Sequence, residues 1–299
     1  MKSASGSVLY DVPGPRARAR NMVLNVIGAV LIAAAGWYVY DKFAQDPKGP
    51  QTSQWDPEKW KPFLEGDTWD NFLLPGIEGT LKAAALAAVL AMAFGTLCAV
   101  GRMSTIRPVA WIAAAVIEFF RAVPLLIMMI FLWLAPTKLF GADANVFLAV
   151  VLALMFYNGA VIAEVIRAGV QALPRGQREA GAAIGLTNAQ VMRLILLPQA
   201  LRAMLPAIVA QLVVLLKDSA LGYIIGYAEL LRQGNNIATN NGNLVPALLV
   251  IAAIFIVMNL ALTGLANWIE RRTRRRGRTA ATVGHADVVP PAAGTGAAL

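Results

Sequence analysis

REAGAAIGLTNAQVMRLILLPQAL, residues 178–201, lies between two long apolar runs and resembles neither. It is too polar to cross a hydrocarbon core, which takes about 20 apolar helical residues, and too short to fold as a domain. Pro174 and Gly176 close the preceding apolar run, and Glu179 is expected to open a short helix, where a carboxylate suits the positive end of the dipole. Ala180, Gly181, Ala182 and Ala183 leave that helix nearly bare of side chains. Gly185 breaks it, and Thr187-Asn188-Ala189-Gln190 has the spacing of a capping box that starts a second helix. Pro198 ends the second helix or opens the next apolar run. A smooth, acid-bearing helix pair fixed at both ends predicts a surface touched by something outside the bilayer. On composition alone, an ordinary interfacial helix reads equally well.

Around this stretch the chain of 299 residues is 58% hydrophobic and 14% charged, with a mean hydropathy of +0.60. Soluble domains carry roughly a quarter charged residues, so the composition predicts an integral membrane protein. Cys98 and His285 are the only cysteine and histidine. This excludes a disulfide framework, leaves no Cys/His metal cluster, and removes Cys-His and Ser-His-Asp catalysis. Gly-Lys does not occur, so there is no phosphate-binding loop and any nucleotide chemistry belongs to a partner. No cofactor, metal or catalytic residue is expected of this chain.

Six apolar stretches are long enough to span: 22–40, 77–100, 108–134, 145–168, 201–225 and 244–268. The net charge is +9, and residues 1–20 and 270–299 hold +7 of it. Basic clusters beside apolar spans are topology signals rather than a nucleic-acid footprint. Arg102, Arg107, Arg167, Arg175, Arg178, Arg193 and Arg202 fall on the same side as the tails, whereas residues 41–75 carry four Lys against seven Asp/Glu. The positive-inside rule then puts both termini in the cytoplasm. The expected organisation is a disordered tail (1–20), a first span (21–41), an outer loop (42–75), a core (76–271) containing the loop 174–198, and a basic disordered tail (272–299). The first span also has the look of a cleavable signal sequence, although its run continues through Trp37, Tyr38 and Tyr40 as an interfacial belt. Trp55, Trp60 and Trp69 read as interfacial residues of the outer loop.

The spacing of Glu179-Ala180-Gly181, Gly185 and Ile195-Leu196-Leu197-Pro198 resembles the coupling motif of bacterial ABC importer permeases. EFFRAVPLLI (118–127), AEVIRAGVQALPRGQREA (163–180), LPQALRAMLPA (197–207) and LLKDSAL (215–221) are similar to the branch that carries polar amino acids. The resemblance covers 77–270 and implies an all-α fold of the type I importer: a five-helix core to which the first span is an addition. This extended form is similar to a permease of actinobacterial glutamate uptake systems. The resemblance further implies a bacterial cell-membrane location and docking of Glu179, Ala180, Gly181, Gly185 and Leu186 on an ATPase present in two copies. It implies as partners a second, homologous or identical permease and an external amino-acid-binding protein, with a polar amino acid as cargo.

Ionisable residues within spans are functional candidates. Glu118 with Arg121, and Glu164 with Arg167, stand three apart and can pair along one helix face. Glu164 and Arg167 are expected to steady the loop, and Glu118 and Arg121, near mid-membrane, are candidates for the substrate pathway or for structure. Lys217-Asp218-Ser219 lies past the midplane of the fifth span. Neighbours on a helix point about 100° apart, so one of the two charges must face the bundle or a wet cavity. The pair reads either as a buried inter-helix ion pair or as a zwitterion site, with Lys217 toward a carboxylate and Asp218 toward an α-amino group. A secondary carrier driven by an ion gradient is the competing function, and a membrane enzyme lacks any visible catalytic set.

Overall fold

The computed structural model describes residues 14–44 and 53–282, which are helical with no strand among them. The chain begins with α1 (Pro15–Ala44), follows a 3-10 turn (Pro57–Leu64) and the single turn α2 (Gly66–Thr68), and enters α3 (Leu74–Arg102). After α4 (Arg107–Ala122), α5 (Leu125–Phe140) and α6 (Val146–Gln171) come the short helices α7 (Arg175–Ala183), α8 (Asn188–Gln190) and α9 (Leu197–Ala203). The last three are α10 (Leu205–Asp218), α11 (Leu230–Asn241) and α12 (Leu244–Thr282). Five helices are long and apolar enough to cross a membrane, or six if the bent pair α4–α5 is one span.

That pair corrects the expectation of a continuous span over 108–134. Val123 and Pro124 are extended, and the two helices meet at 101°. Proline disfavours the helical region for the residue before it and donates no N–H, so the chain turns there.

The centre of the molecule is the face shared by α3 and α6. Ala83, Ala87, Ala91, Gly95 and Ala99 recur every fourth residue and are buried. Without large side chains the backbones approach closely: a Cβ on Gly95 would stand 2.6 Å from the Gly159 carbonyl oxygen, and one on Gly159 2.7 Å from Phe94 Cδ1. Between lipid-embedded helices such packing supplies the association that the hydrophobic effect cannot. Next to Gly159, Gln211 of α10 donates to Asn158 Oδ1 of α6 (2.8 Å), and Asn158 donates its own N–H to the Leu154 carbonyl (3.0 Å).

The segment from residue 53 to α3, expected as an outer interfacial loop, is folded. Phe63 is buried in a cluster with Leu73, Leu230, Ile237 and Ala247. Trp69 Nε1 donates to the Phe63 carbonyl (2.9 Å) and Trp55 Nε1 to that of Tyr40 (3.1 Å). Lys59 Nζ reaches the carbonyls of Asn241 and Gly242 at the C-terminus of α11, where a cation is favoured. By contrast, no residue in the apolar window of α1 is buried.

The helices also overrun the tails expected from composition. α1 starts at Pro15, a favoured first helical residue, and α12 continues through its arginines to Thr282. The remainder of those tails, 1–13 and 283–299, lies outside the described residues.

Candidate functional site

The loop 178–201 folds as two helical legs, and its capping box is present in both directions. Thr187 Oγ1 accepts from the Gln190 amide (3.3 Å), and Gln190 Oε1 accepts from the Thr187 amide (2.8 Å). Gly185 takes φ +83°, a left-handed conformation that glycine adopts without steric cost, while Leu186 N–H closes back on the Gly181 carbonyl (3.1 Å). From Gln190 the chain passes through a π-helical stretch, Val191–Leu196, into α9 with Pro198 in its first turn.

Three of the expected docking residues take other places. Glu179 does not open the helix; α7 starts at Arg175, and Glu179 is exposed one turn in, beyond the strongest part of the dipole. Gly181 is buried, because a Cβ there would meet Val191 Cγ2 at 2.8 Å: it is the notch through which the second leg packs on the first. Leu186 is half-buried against the apolar cluster of Val170, Val191, Met192, Leu196 and Ala200. Outward stand Glu179, Ala180, Ala182, Ala183, Gly185 and Ile184, the last 75% exposed. Nothing in the sequence singles out Ile184, since an apolar residue beside a helix-ending glycine reads as core.

The second leg is seated against a membrane helix, and the two legs are joined to each other. Gly169 near the end of α6 has room for no Cβ, with Met204 Cγ 2.4 Å and the Ala200 carbonyl 3.4 Å from where it would be, and Gln199 Nε2 donates to Gln177 Oε1 (3.1 Å).

Beside the loop, the two charged pairs expected to be separate form one chain of charges. Glu164 accepts from Arg167 Nη2 (2.8 Å), and Glu118 stands 3.6 Å from Arg121 Nη1. Arg102, in the last turn of α3, joins them: its Nη1 lies against Glu164 Oε1 and 3.2 Å from Glu118 Oε1. Glu164 and Arg102 are 18% and 23% exposed and Glu118 57%, so solvent screens the inner half of the chain less than the outer half. In the sequence Arg102 counts only as a topology charge. Its partners are 16 and 62 residues away, beyond any helical spacing rule.

Lys217 and Asp218 form no ion pair among the described residues. Lys217 is exposed and Asp218 half-buried, while buried Ser219 donates its hydroxyl to the Leu216 carbonyl (2.7 Å). The α-helix ends at Asp218 and tightens into a 3-10 turn, Ser219–Ile225, and the two together make the candidate span Leu205–Ile225 inside the stretch expected over 201–225.

The chain has counterparts among known proteins. The family model of binding-protein-dependent transport system inner membrane components matches residues 83–275. The glutamate transport system permease protein GluD of Corynebacterium glutamicum is 48% identical over 223 residues, covering 74% of this chain and 82% of that protein. The glutamate/aspartate import permease protein GltK of Escherichia coli is 34% identical, covering 68% and 93%. Among solved structures, an amino acid ABC transporter with histidines superposes with a TM-score of 0.64 at 36% identity, covering 70% of this chain and 98% of that one.

Proposed function

This chain belongs to the family of binding-protein-dependent transport system inner membrane components, and from that premise we propose how it works. It is a multi-pass bacterial membrane protein, the permease subunit of an ATP-driven importer of polar amino acids. Hydrolysis falls to a separate ATPase subunit. We assign it six spans, with α4–α5 as one broken span, both termini in the cytoplasm, a second permease beside it, two ATPase copies beneath and an amino-acid-binding protein outside. The cargo we propose is glutamate or a close relative, in keeping with the names of its relatives GluD and GltK.

One observation carries the mechanism: the exposed residues at the end of α7 and in the turn after it, Glu179, Ala180 and Ala182 to Gly185, lie on a loop attached at both ends to spanning helices. Gly169 seats α9 against α6, and the Asn158–Gln211 hydrogen bond joins α6 to α10 farther along. A force on α7 therefore reaches two spans together. The chain of charges from Arg121 to Arg167 steadies the end of α6 that feeds the loop. Lys217, Asp218 and Ser219 line the pathway as we read it. Glu118 and Arg121, the other pathway candidates, are better explained by their place in the charge chain.

The test is uptake of radiolabelled L-glutamate by cells carrying the permease with and without its ATPase, together with co-purification of the two. Uptake is expected to require the ATPase. Ile184→Glu and Glu179→Lys, both on exposed side chains, are expected to insert normally but lose ATPase co-purification or uncouple hydrolysis from uptake. Full uptake without any ATPase would identify a gradient-driven carrier instead.

A further inference from the structure

α11 begins in the connection between the fifth and sixth candidate spans, and its first three amides are each taken. Leu230 N–H donates to Thr80 Oγ1 (3.1 Å), Leu231 N–H to Glu229 Oε2 (2.8 Å), and Arg232 N–H to Glu229 Oε1 (2.6 Å). Both oxygens of the fully buried Glu229 are thus engaged by backbone. The Arg232 guanidinium does not pair with it and lies over the Tyr223 ring, 5.7 Å from the centroid.

That arrangement is unusual among the described cations of this side. Lys59 is spent on the α11 carbonyls, Lys61 on Glu58, Lys82 on Glu78, and Lys42 lies over Tyr38. Lys138 and Lys217 are exposed, where water solvates an ammonium. Arg232 is half-buried, yet among the described residues no carboxylate lies within ion-pair distance of it. Glu229 attracts the guanidinium from beyond ion-pair distance, but both of its oxygens are taken by backbone amides, and the cation–π contact returns only about 0.5–2 kcal/mol against the cost of withdrawing a guanidinium from water. A contact with a ring face uses none of the guanidinium N–H groups as hydrogen-bond donors, and their fork geometry takes a carboxylate through two bonds. The ring belongs to the 3-10 turn that continues directly from Lys217-Asp218-Ser219, so the cation is brought to the segment read as the pathway.

We propose that Arg232, held on the Tyr223 ring, is a carboxylate-binding residue for an anionic amino acid as it enters from the outer side. The inference rests on the importer reading and adds to it a residue that selects acidic over neutral cargo.

Arg232→Gln retains the backbone N–H that Glu229 accepts, so the cap of α11 survives the substitution. In proteoliposomes containing the full complex, with binding protein saturating, Arg232→Gln is expected to raise the KM for L-glutamate about ten-fold with little change in kcat, the loss of a charge-assisted hydrogen bond. Arg232→Lys should recover part of it, and Tyr223→Leu, which removes the platform, should show a smaller rise. In parallel, L-glutamate should raise the unfolding temperature of the detergent-purified complex more than L-glutamine does, and Arg232→Gln should abolish that difference. An unchanged KM, a fall in kcat alone, or equal stabilisation by the two amino acids in the wild-type protein would overturn the proposal. If the wild-type complex shows no ATP-dependent uptake, the importer reading fails, and the stabilisation experiment still decides for or against Arg232.

Discussion

Glu229 sits outside the candidate spans Leu205–Ile225 and Leu244–Ala266, yet has no exposed surface. Burial pushes its carboxyl up to about 7, against the opposing pull of the Leu231 and Arg232 amides and the Arg232 charge. A carboxyl raised in the folded state binds its proton more tightly there than in the unfolded chain. Its contribution to stability is therefore complete below the ordinary value of 4.5 and is lost as pH rises through about 7. The thermal midpoint of the purified complex should fall across that window, as this group's contribution to stability drops by on the order of 3 kcal/mol or less. Glu229→Gln should flatten that part of the profile, read by scanning fluorimetry at stepped pH. An unchanged slope in the variant would show the carboxyl titrating elsewhere. Residues of this kind divide cleanly by legibility. Glu118–Arg121 and Glu164–Arg167 follow from a spacing of three, but Arg102 and Glu229 acquire their roles from partners or burial that only the tertiary structure supplies.

Among elements, the α3–α6 face is the one where a single atom decides the packing. Gly95→Leu must displace the Gly159 backbone, which cannot give way as a flexible side chain would, and should cost about 3 kcal/mol. Gly28→Leu in α1 meets nothing within 4 Å and is expected to be neutral. Comparing the unfolding midpoints of the two variants checks this, and equal effects would mean that α3 and α6 are not in close contact. The every-fourth-residue small stripe behind this packing is present in the sequence from 83 to 99, but hydropathy alone registers only a long apolar run. The capping box at Thr187 is readable because its two bonds are local. The π-helical leg after it, and the tightening of the fifth span at Ser219, are not, because both answer to neighbours far along the chain. The bend between α4 and α5 has its signal in Pro124; length and hydropathy mask it.

For the whole molecule the charge asymmetry makes a directional statement. With Cys98 replaced, an impermeant thiol reagent added to intact cells should label Leu64→Cys, on the folded outer segment, and spare Ala189→Cys until the cells are opened. Labelling of Ala189→Cys from outside would invert the topology. Composition and arginine placement carry this expectation in the sequence itself. They do not reveal that residues 53–64 are bonded to the corner between α11 and α12, since those contacts join positions more than 180 apart.

The α3–α6 face also has a place in time. Ala91 and Gly159 are separated by 68 positions of chain, so at about 5–20 residues per second α3 waits roughly 3–14 s for its partner to be synthesised. During that wait its alanine and glycine stripe can rest against lipid tails at little cost, as a row of charged or strongly polar groups could not. The same small side chains that permit close contact in the finished protein make the half-built one tolerable to the membrane.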